Sequence, residues 1–351
     1  MNRPLRSPDA LAAVGLVSPD ELPALRAVAA RYAVSITPDM AELIDASDPH
    51  DPIARQFVPR AEEAVTAAEE RADPIGDAVH EKRPGLVHRY PDRVLLKPLH
   101  ICPVYCRFCF RREVVGPEGA GTLSEAELDA ALAYIEADPA IWEVVLTGGD
   151  PFALSPRRVS DIARRLGAIP HVKVLRVHTR VPVVSPALVT EALVAALKGF
   201  GRAVFVALHA NHAREFTPAA EAACASLVDA GIPMVSQTVL LAGINDDAAA
   251  LEALMRAFVE NRIKPYYLHH GDLAPGTGHL RTGLDAGQGL MRTLRGRLSG
   301  LAQPTYVLDI PGGHGKVPVG PGYVDTDHDG TRITDPNGGV HAYPPTTSEQ
   351  D

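Results

Sequence analysis

The sequence predicts an α/β fold: a partial, TIM-like parallel barrel of about six β/α units, with a helical segment ahead of it and a short hairpin behind. Three observations predict it. From about residue 80, strand-like runs alternate with helical ones, the pattern that parallel strands and right-handed crossovers leave in a sequence. From Ser7 to about Ala72 the chain is rich in Ala, Glu and Arg and holds no strand-like run. Near the end, "RITDPNGGVHAYPP" places the turn pair Asn337-Gly338 between two short extended runs. The expected segments are 1–80, helical; 81–325, barrel; and 326–351, hairpin and tail.

The first segment reads as short helices interrupted by "DASDPHDP", with a packing role and no chemistry of its own. The strand candidates follow at 93–98, 143–148, 173–179, 203–209, 234–241, 264–270 and 305–310. Helices between them carry legible punctuation. Ser124 and Glu127 stand at capping-box spacing. Ser155-Pro156 opens a helix expected to stop at Gly167, and "SPALVTEALVAALKG" and "TPAAEAACASLVDAG" repeat that pattern. In such barrels the chemistry sits on loops after the C-terminal ends of the strands.

Composition narrows the function. The 351 residues carry a formal net charge of -9, which argues against nucleic-acid binding through a basic surface. No apolar run approaches the roughly 20 residues that span a bilayer, and the N-terminus lacks a signal-peptide pattern. Four cysteines, three of them crowded together, do not make a disulfide framework, and a reducing cytoplasm is expected.

Those three are in "HICPVYCRFCFRRE", where Cys102, Cys106 and Cys109 are spaced C-x3-C-x2-C just after the first barrel strand. Clustered thiolates on a loop bind soft metals or iron–sulfur clusters. A closed zinc site wants a fourth ligand at short spacing. Cys224 lies far off in a helical run, and His100, on the strand end ahead of Cys102, is the other candidate ligand. Three thiolates on a four-iron cluster leave one iron open for chemistry; a structural metal knuckle is the alternative. The next strand ends in "TGGDP".

Two further stretches stand out. "DIPGGHGKVPVGPGY" puts Lys316 after a flexible glycine run, which suits a lysine that attaches to a carbonyl cofactor and swings away; such a run also serves as a phosphate-binding or plain surface loop. "HRYPDRVLL" sets Arg89 and Arg93 beside Tyr90, either a bidentate grip on phosphate or a solvated charged edge.

The cysteine spacing followed by "TGGDP" resembles the radical S-adenosylmethionine superfamily, and with the other two stretches the chain resembles the lysine 2,3-aminomutases. "RYPDRVL", "TRVPVV", "QTVLLAGIND", "KPYYLHHGDL" and "DIPGGHGKVPV" arrive in that family's order, from about residue 52 to 343. The resemblance implies the radical-SAM type of partial (β/α)6 barrel and three cofactors: a [4Fe-4S] cluster, S-adenosyl-L-methionine and pyridoxal 5'-phosphate. It implies that Cys102, Cys106 and Cys109 hold the cluster. Lys316 is the catalytic lysine and contacts pyridoxal phosphate with Arg89, Tyr90 and Arg93. Gly148, Gly149, Asp150, Arg180, His209 and Gln237 face the cosubstrate. Arg111 clamps the substrate α-carboxylate, and Asp272 and Asp309 receive its side-chain ammonium.

Two carboxylates converging on one spot repel unless a cation lies between them, so keeping Asp at both positions favours a basic substrate. The pair is expected within reach of each other and an extended lysine chain away from Lys316. The implied activity is interconversion of L-α-lysine and L-β-lysine, with a donor such as flavodoxin or ferredoxin, no nucleic-acid or membrane partner, and a possible homo-oligomer. Alternatives are the shorter branch that serves elongation factor P, another basic amino acid such as arginine, or a non-enzymatic iron–sulfur or zinc module. Asp309, which the shorter branch does not keep, tilts the reading toward free lysine. His314 replaces a family glycine, and Phe110 replaces a small polar residue.

Overall fold

Ten strands form one sheet in strict chain order in the computed structural model, which describes residues 3–115, 121–328 and 330–344. β1 (Glu81–Arg83), β2 (Leu86–Tyr90) and β3 (Arg93–Leu99) run antiparallel to one another. From β3 the order is parallel through β4 (Glu143–Gly148), β5 (Val174–Thr179), β6 (Ala203–His209), β7 (Met234–Val239), β8 (Ile263–His269) and β9 (Thr305–Ile310). β10 (Gly315–Pro318) returns antiparallel to β9. Among the described residues no ladder joins β10 to β1, so the sheet is open, as in a partial barrel. All seven strand candidates lie in the parallel part.

Helices cross over between the parallel strands and cover one face. Glu125–Ala137 starts at the Ser124–Glu127 capping box and buries Leu128, Leu132 and Ile135; Pro156–Ala168 buries Val159, Ile162 and Leu166. That spacing is an apolar stripe along one helical face, and each such side chain contributes about 1.5–3 kcal/mol on burial. The other face of the sheet departs from the usual apolar parallel strand. Arg176 and His178 on β5 alternate with buried Leu175 and Val177; Gln237 lies two residues before the end of β7 and His269 ends β8, both half-buried. A polar, half-buried face toward the strand C-termini marks where the chemistry sits.

Several boundaries differ from the expectation. The helix expected to stop at Gly167 runs to Ala168, and Gly167 packs against the Phe200 carbonyl. Ser185-Pro186 opens only a short 3-10 turn, and the helix begins at Glu191, capped by Thr190. Arg89 and Tyr90, expected ahead of the first strand, lie on β2, where Tyr90 pairs with Arg93 across a tight hairpin. Three residues after Gly85 are charged or polar and none alternates cleanly with apolar ones, which hides this strand from a periodicity reading. At the end, β12 (Gly330–Thr334) and β13 (Val340–Tyr343) form the hairpin around Asn337-Gly338, but β11 (Val324–Asp327) adds a third strand. The expected tail, 345–351, lies outside the described residues.

The N-terminal helices Pro8–Ala13, Leu22–Ala29 and Pro38–Leu43 pack onto the barrel through Leu11, Leu25 and Met40. An isolated bridge between Leu5 and Ile36 ties their ends together.

Candidate active site

The loop after β3 carries the three cysteines, each half-buried. Burial, then the charges of Asp150, Cys109 and Cys106, push the Cys102 thiol well above its ordinary value. Burial, then Cys106, pushes Cys109 up to about 11. Cys224 is buried in the helix Pro218–Asp229, and its thiol feels burial and then only Glu221. His100, weighed as a fourth ligand, does not join the thiols; its backbone N–H donates to Gly121 and its Nδ1 is buried without a partner. Among the described residues no three Cys, His, Asp or Glu side chains converge as on a single ion.

Residues between the cysteines anchor the loop. The carboxylate of Glu63, wholly buried, binds both Arg107 and Arg112, with Arg107 Nε at 2.9 and 3.0 Å. Burial would raise the Glu63 carboxyl, but the two guanidinium groups outweigh it and hold it low. Arg107 also donates to the Ala33 carbonyl at 2.6 Å, and Arg112 to that of Gly276 at 3.1 Å. The N-terminal segment, read from sequence as packing only, thus braces the cysteine loop.

The expected cosubstrate residues divide into two groups. His209 and Gln237 are register partners at the ends of β6 and β7. His209 stacks on Phe108 with centroids 5.4 Å apart, and its Nε2 is buried without a partner. The others are engaged with the protein. Gly149 donates to the Leu99 carbonyl at 2.7 Å, and a Cβ there would lie 2.3 Å from the Ile101 carbonyl oxygen. Only glycine allows this approach, which sets β4 against the start of the cysteine loop; Gly148 contacts Leu99 similarly. Asp150 accepts from Thr179 Oγ1 at 2.7 Å and from the backbone of Phe152, Arg180 and Val181 at 3.0, 2.7 and 3.2 Å. Its carboxylate locks β4 to β5. Arg180 Nη1 donates to Cys106 Sγ at 3.0 Å, and Nη2 donates to Glu215 at 2.7 Å and to Gln56.

Lys316 sits on β10, not on a free loop. Gly312, Gly313 and Gly315, all at positive φ, turn the chain between β9 and β10. The register places Lys316 directly across from Asp309, so their side chains share a face. Lys316 Nζ pairs with the Asp309 carboxylate and lies 3.1 Å from His269 Nδ1. Its backbone N–H donates to the Tyr90 hydroxyl at 2.8 Å. The expected distance between Asp309 and Lys316 is therefore corrected by strand register. The pKa of His269, missed in the sequence, is lowered by burial and then by the Lys316 charge, with Asp309 opposing them. Burial would raise the Asp309 carboxyl, but His269 and Lys316 hold it far below the usual range. Arg93 stacks on Tyr90 at 3.8 Å, while Arg89 donates to the Ile75 carbonyl at 2.7 Å and keeps a buried Nε without a partner. His314 is exposed on the turn.

At the other end, Arg111 lies over the Phe110 ring at 4.4 Å and donates through Nε and Nη2 to Asp77 Oδ2 at 3.1 and 2.7 Å. Asp77 gave no signal in the sequence; its short acidic side chain matched no motif. Asp272 follows β8. Burial, and next the charge of Asp309, push its carboxyl up to about 7, with Lys316 and Arg111 pulling the other way. Arg111, Asp272, Asp309 and Lys316 thus act on one another within one half-buried space.

Residues 96–254 match the family model described as Radical SAM superfamily, and with three thiols on the loop after the first parallel strand the fold and site define a radical-SAM enzyme. Residues 291–346 match the model described as Lysine-2,3-aminomutase. The L-lysine 2,3-aminomutase of Acetoanaerobium sticklandii is 40% identical over 308 residues, 88% of this chain and 74% of that one. That of Clostridium subterminale is 39% identical over 311 residues, with the same shares, 88% and 74%. The glutamate 2,3-aminomutase of Clostridioides difficile is 34% identical over 316 residues, 90% of this chain and 74% of that one. The chain belongs to the lysine 2,3-aminomutase family.

Membership brings a [4Fe-4S] cluster, S-adenosyl-L-methionine and pyridoxal 5'-phosphate, and the residues fit each. Three half-buried thiols, two of them raised by their cysteine neighbours, need a cationic core to ionise, which a cluster supplies. The orphaned Nε2 of His209 beside the cysteine loop suits a polar cosubstrate. Lys316 and the unpartnered Nε of Arg89 suit an aldehyde and a phosphate.

Proposed function

We propose that this protein interconverts L-α-lysine and L-β-lysine by moving the amino group between C2 and C3. The observation that carries the substrate is the Asp272–Asp309 pair. Asp272, raised to about 7 chiefly by burial and by Asp309, is a carboxylate in want of a cation, and an ε-ammonium between the two supplies it. The 34% identical glutamate 2,3-aminomutase marks the competing substrate, but a second carboxylate at this spot adds repulsion.

Cluster, S-adenosylmethionine and pyridoxal phosphate, when bound, supply the electron, the hydrogen abstraction and the electron-delocalising ring. The chain positions and protects. Cys102, Cys106 and Cys109 would hold the cluster, with Arg180 donating to Cys106 Sγ at 3.0 Å. His209 and Gln237, side by side at the strand ends, would meet the cosubstrate. Lys316 would carry pyridoxal phosphate, with Arg89, Tyr90 and Arg93 near its phosphate. His269, its Nδ1 3.1 Å from Lys316 Nζ, is placed to take a proton there, and Asp309 to hold the positive charge. Arg111 would grip the α-carboxylate and the aspartates the ε-ammonium, stretching the substrate so that C2 and C3 are held between fixed ends.

A low-potential donor of the flavodoxin or ferredoxin class supplies the electron, in the cytoplasm, with no nucleic-acid or membrane partner. Among the described residues no helix is long and apolar enough to cross a membrane. Exposed Val324, Val340 and Tyr343 on the C-terminal sheet support self-association into a homo-oligomer. The test is anaerobic reconstitution followed by product analysis with lysine, arginine and glutamate side by side. Lysine should be isomerised best; preferential turnover of glutamate or arginine would overturn the substrate.

A further inference from the structure

We infer that Asp77 is a positioning residue that fixes the cofactor-binding and substrate-binding arginines against each other, and so sets how well the site holds an α-carboxylate. The inference rests on the lysine aminomutase reading for the roles of Arg89 and Arg111. The placement of Asp77 is a matter of observed geometry.

One buried carboxylate reaches both arginines with different oxygens. Oδ2 accepts from Nε and Nη2 of Arg111 at 3.1 and 2.7 Å, while Oδ1 accepts from Nη2 of Arg89 at 3.2 Å. Lys97 Nζ lies 4.0 Å from Oδ2 and is shared with Glu81 at 3.6 Å. Further carboxylates face this group: Asp309 lies 4.0 Å from Arg89 Nη1, Asp73 accepts from the Asp77 backbone N–H at 2.8 Å, and Asp272 feels the Asp77 charge. Burial would raise the Asp77 carboxyl, but Arg111, Lys97 and Arg89 outweigh it and hold it ionised.

The edges that Asp77 occupies matter. A guanidinium presents two forks to carboxylates, Nε with one Nη, and the two Nη together. Asp77 takes the Nε side of Arg111. Nη1 has only a long contact, 3.4 Å to Thr147 Oγ1. The terminal edge can therefore receive a substrate carboxylate while Asp77 stays in place. On Arg89, likewise, Nη2 is spent on Asp77 and on the Ile75 carbonyl, while Nε is buried with no partner. Asp77 thus orients both guanidinium groups while leaving Nη1 of Arg111 and Nε of Arg89 without a close partner.

Its own position is set by the glycine turn before Lys316. A Cβ on Gly76 would lie 2.3 Å from Gly313 N, so the backbone at 76 touches that turn directly. His80 Nε2 lies 2.9 Å from the Gly313 carbonyl oxygen. The backbone N–H of Asp77 donates to Asp73 at 2.8 Å. The segment 75–80 therefore joins the turn that carries Lys316 to both arginines. Its acidic residue belongs to the active site although it precedes the barrel.

The test compares wild type, Asp77→Asn and Asp77→Glu, all loaded with pyridoxal phosphate and without S-adenosylmethionine. L-Lysine and 1,5-diaminopentane, which lacks the carboxylate, are titrated separately while the absorption of the bound cofactor is followed. Asp77→Asn keeps the size but loses the charge that orients Arg111. Losing a charge-assisted hydrogen bond should weaken lysine binding about ten- to hundredfold. Diaminopentane binding should change less than about threefold, and Asp77→Glu should recover part of the lysine affinity. A misfolded or merely destabilised variant would weaken both ligands equally, and that result overturns the inference. So does unchanged lysine binding. If wild type binds glutamate in place of lysine, the substrate reading fails separately, and glutamate, which carries the same α-carboxylate, then replaces lysine in the comparison.

Discussion

Lys316 and Asp309 face each other across the β9–β10 ladder and form an ion pair, with His269 Nδ1 3.1 Å from the same ammonium. Asp309 therefore touches the cofactor lysine as well as the place of the substrate ammonium. Its loss has two consequences, where that of Asp272 has one.

Asp309→Asn should lose most lysine turnover, about 200- to 5,000-fold, the rate equivalent of about 3–5 kcal/mol for breaking a buried charge pair. It should also alter the absorption of bound pyridoxal phosphate, because the partner of Lys316 has changed. Asp272→Asn should weaken lysine binding with the cofactor spectrum unchanged. Visible spectra and steady-state kinetics of the two variants check this; identical spectra for both would separate Asp309 from the cofactor lysine.

Asp272 also gives the protein a pH signature. Lysine binding favours its ionised form, so affinity should rise as pH rises through about 7, and Asp272→Asn should flatten that rise. The sign for stability is opposite. A carboxyl raised from 3.8 to about 7 in the fold binds more protons folded than unfolded across that window. Stability contributed there declines as pH climbs, and the cost is complete above about 7. Asp272→Asn should therefore melt higher than wild type at pH 8 and equally at pH 4. Thermal denaturation of the substrate-free protein at the two pH values decides it.

Lys316→Ala should abolish borohydride-trappable pyridoxal phosphate and mutase turnover while reductive cleavage of S-adenosylmethionine stays measurable. Different elements hold the two functions: Lys316 is on β10, and the cysteines are on the loop after β3. Near wild-type interconversion by this variant would remove Lys316 from its role.

Glu63→Gln should destabilise the fold by about 3–5 kcal/mol, because it leaves Arg107 and Arg112 buried with their shared anion gone. Iron content after reconstitution should fall with it, since both arginines belong to the cysteine loop. Cys224→Ser should bind iron like wild type. Denaturant midpoints and iron analysis test the set.

What the sequence revealed follows from the range of each signal. Parallel strands and their capped helices are local patterns, and Ser124, Ser155 and Thr217 open helices as expected. The cysteine triplet and the lysine turn are local too. The hidden parts are contacts between distant segments. β2 has no clean alternation, and Glu63, Asp77 and His269 become part of the site only when the N-terminal segment and β8 pack against the loops that carry the motifs. Asp150 stands in a motif, yet the partners of its carboxylate, Thr179 and three backbone N–H groups, are visible only in the fold.

The reconstituted protein should be given L-lysine labelled with ¹⁵N at the α-amino group, with S-adenosylmethionine, pyridoxal phosphate and a reductant, without oxygen. The proposed reaction predicts β-lysine with the label on the C3 nitrogen and the ε-nitrogen unlabelled, and no product when S-adenosylmethionine is omitted. Recovery of unchanged α-lysine alone from protein with full cluster and pyridoxal phosphate, or release of the label to solution, would contradict it.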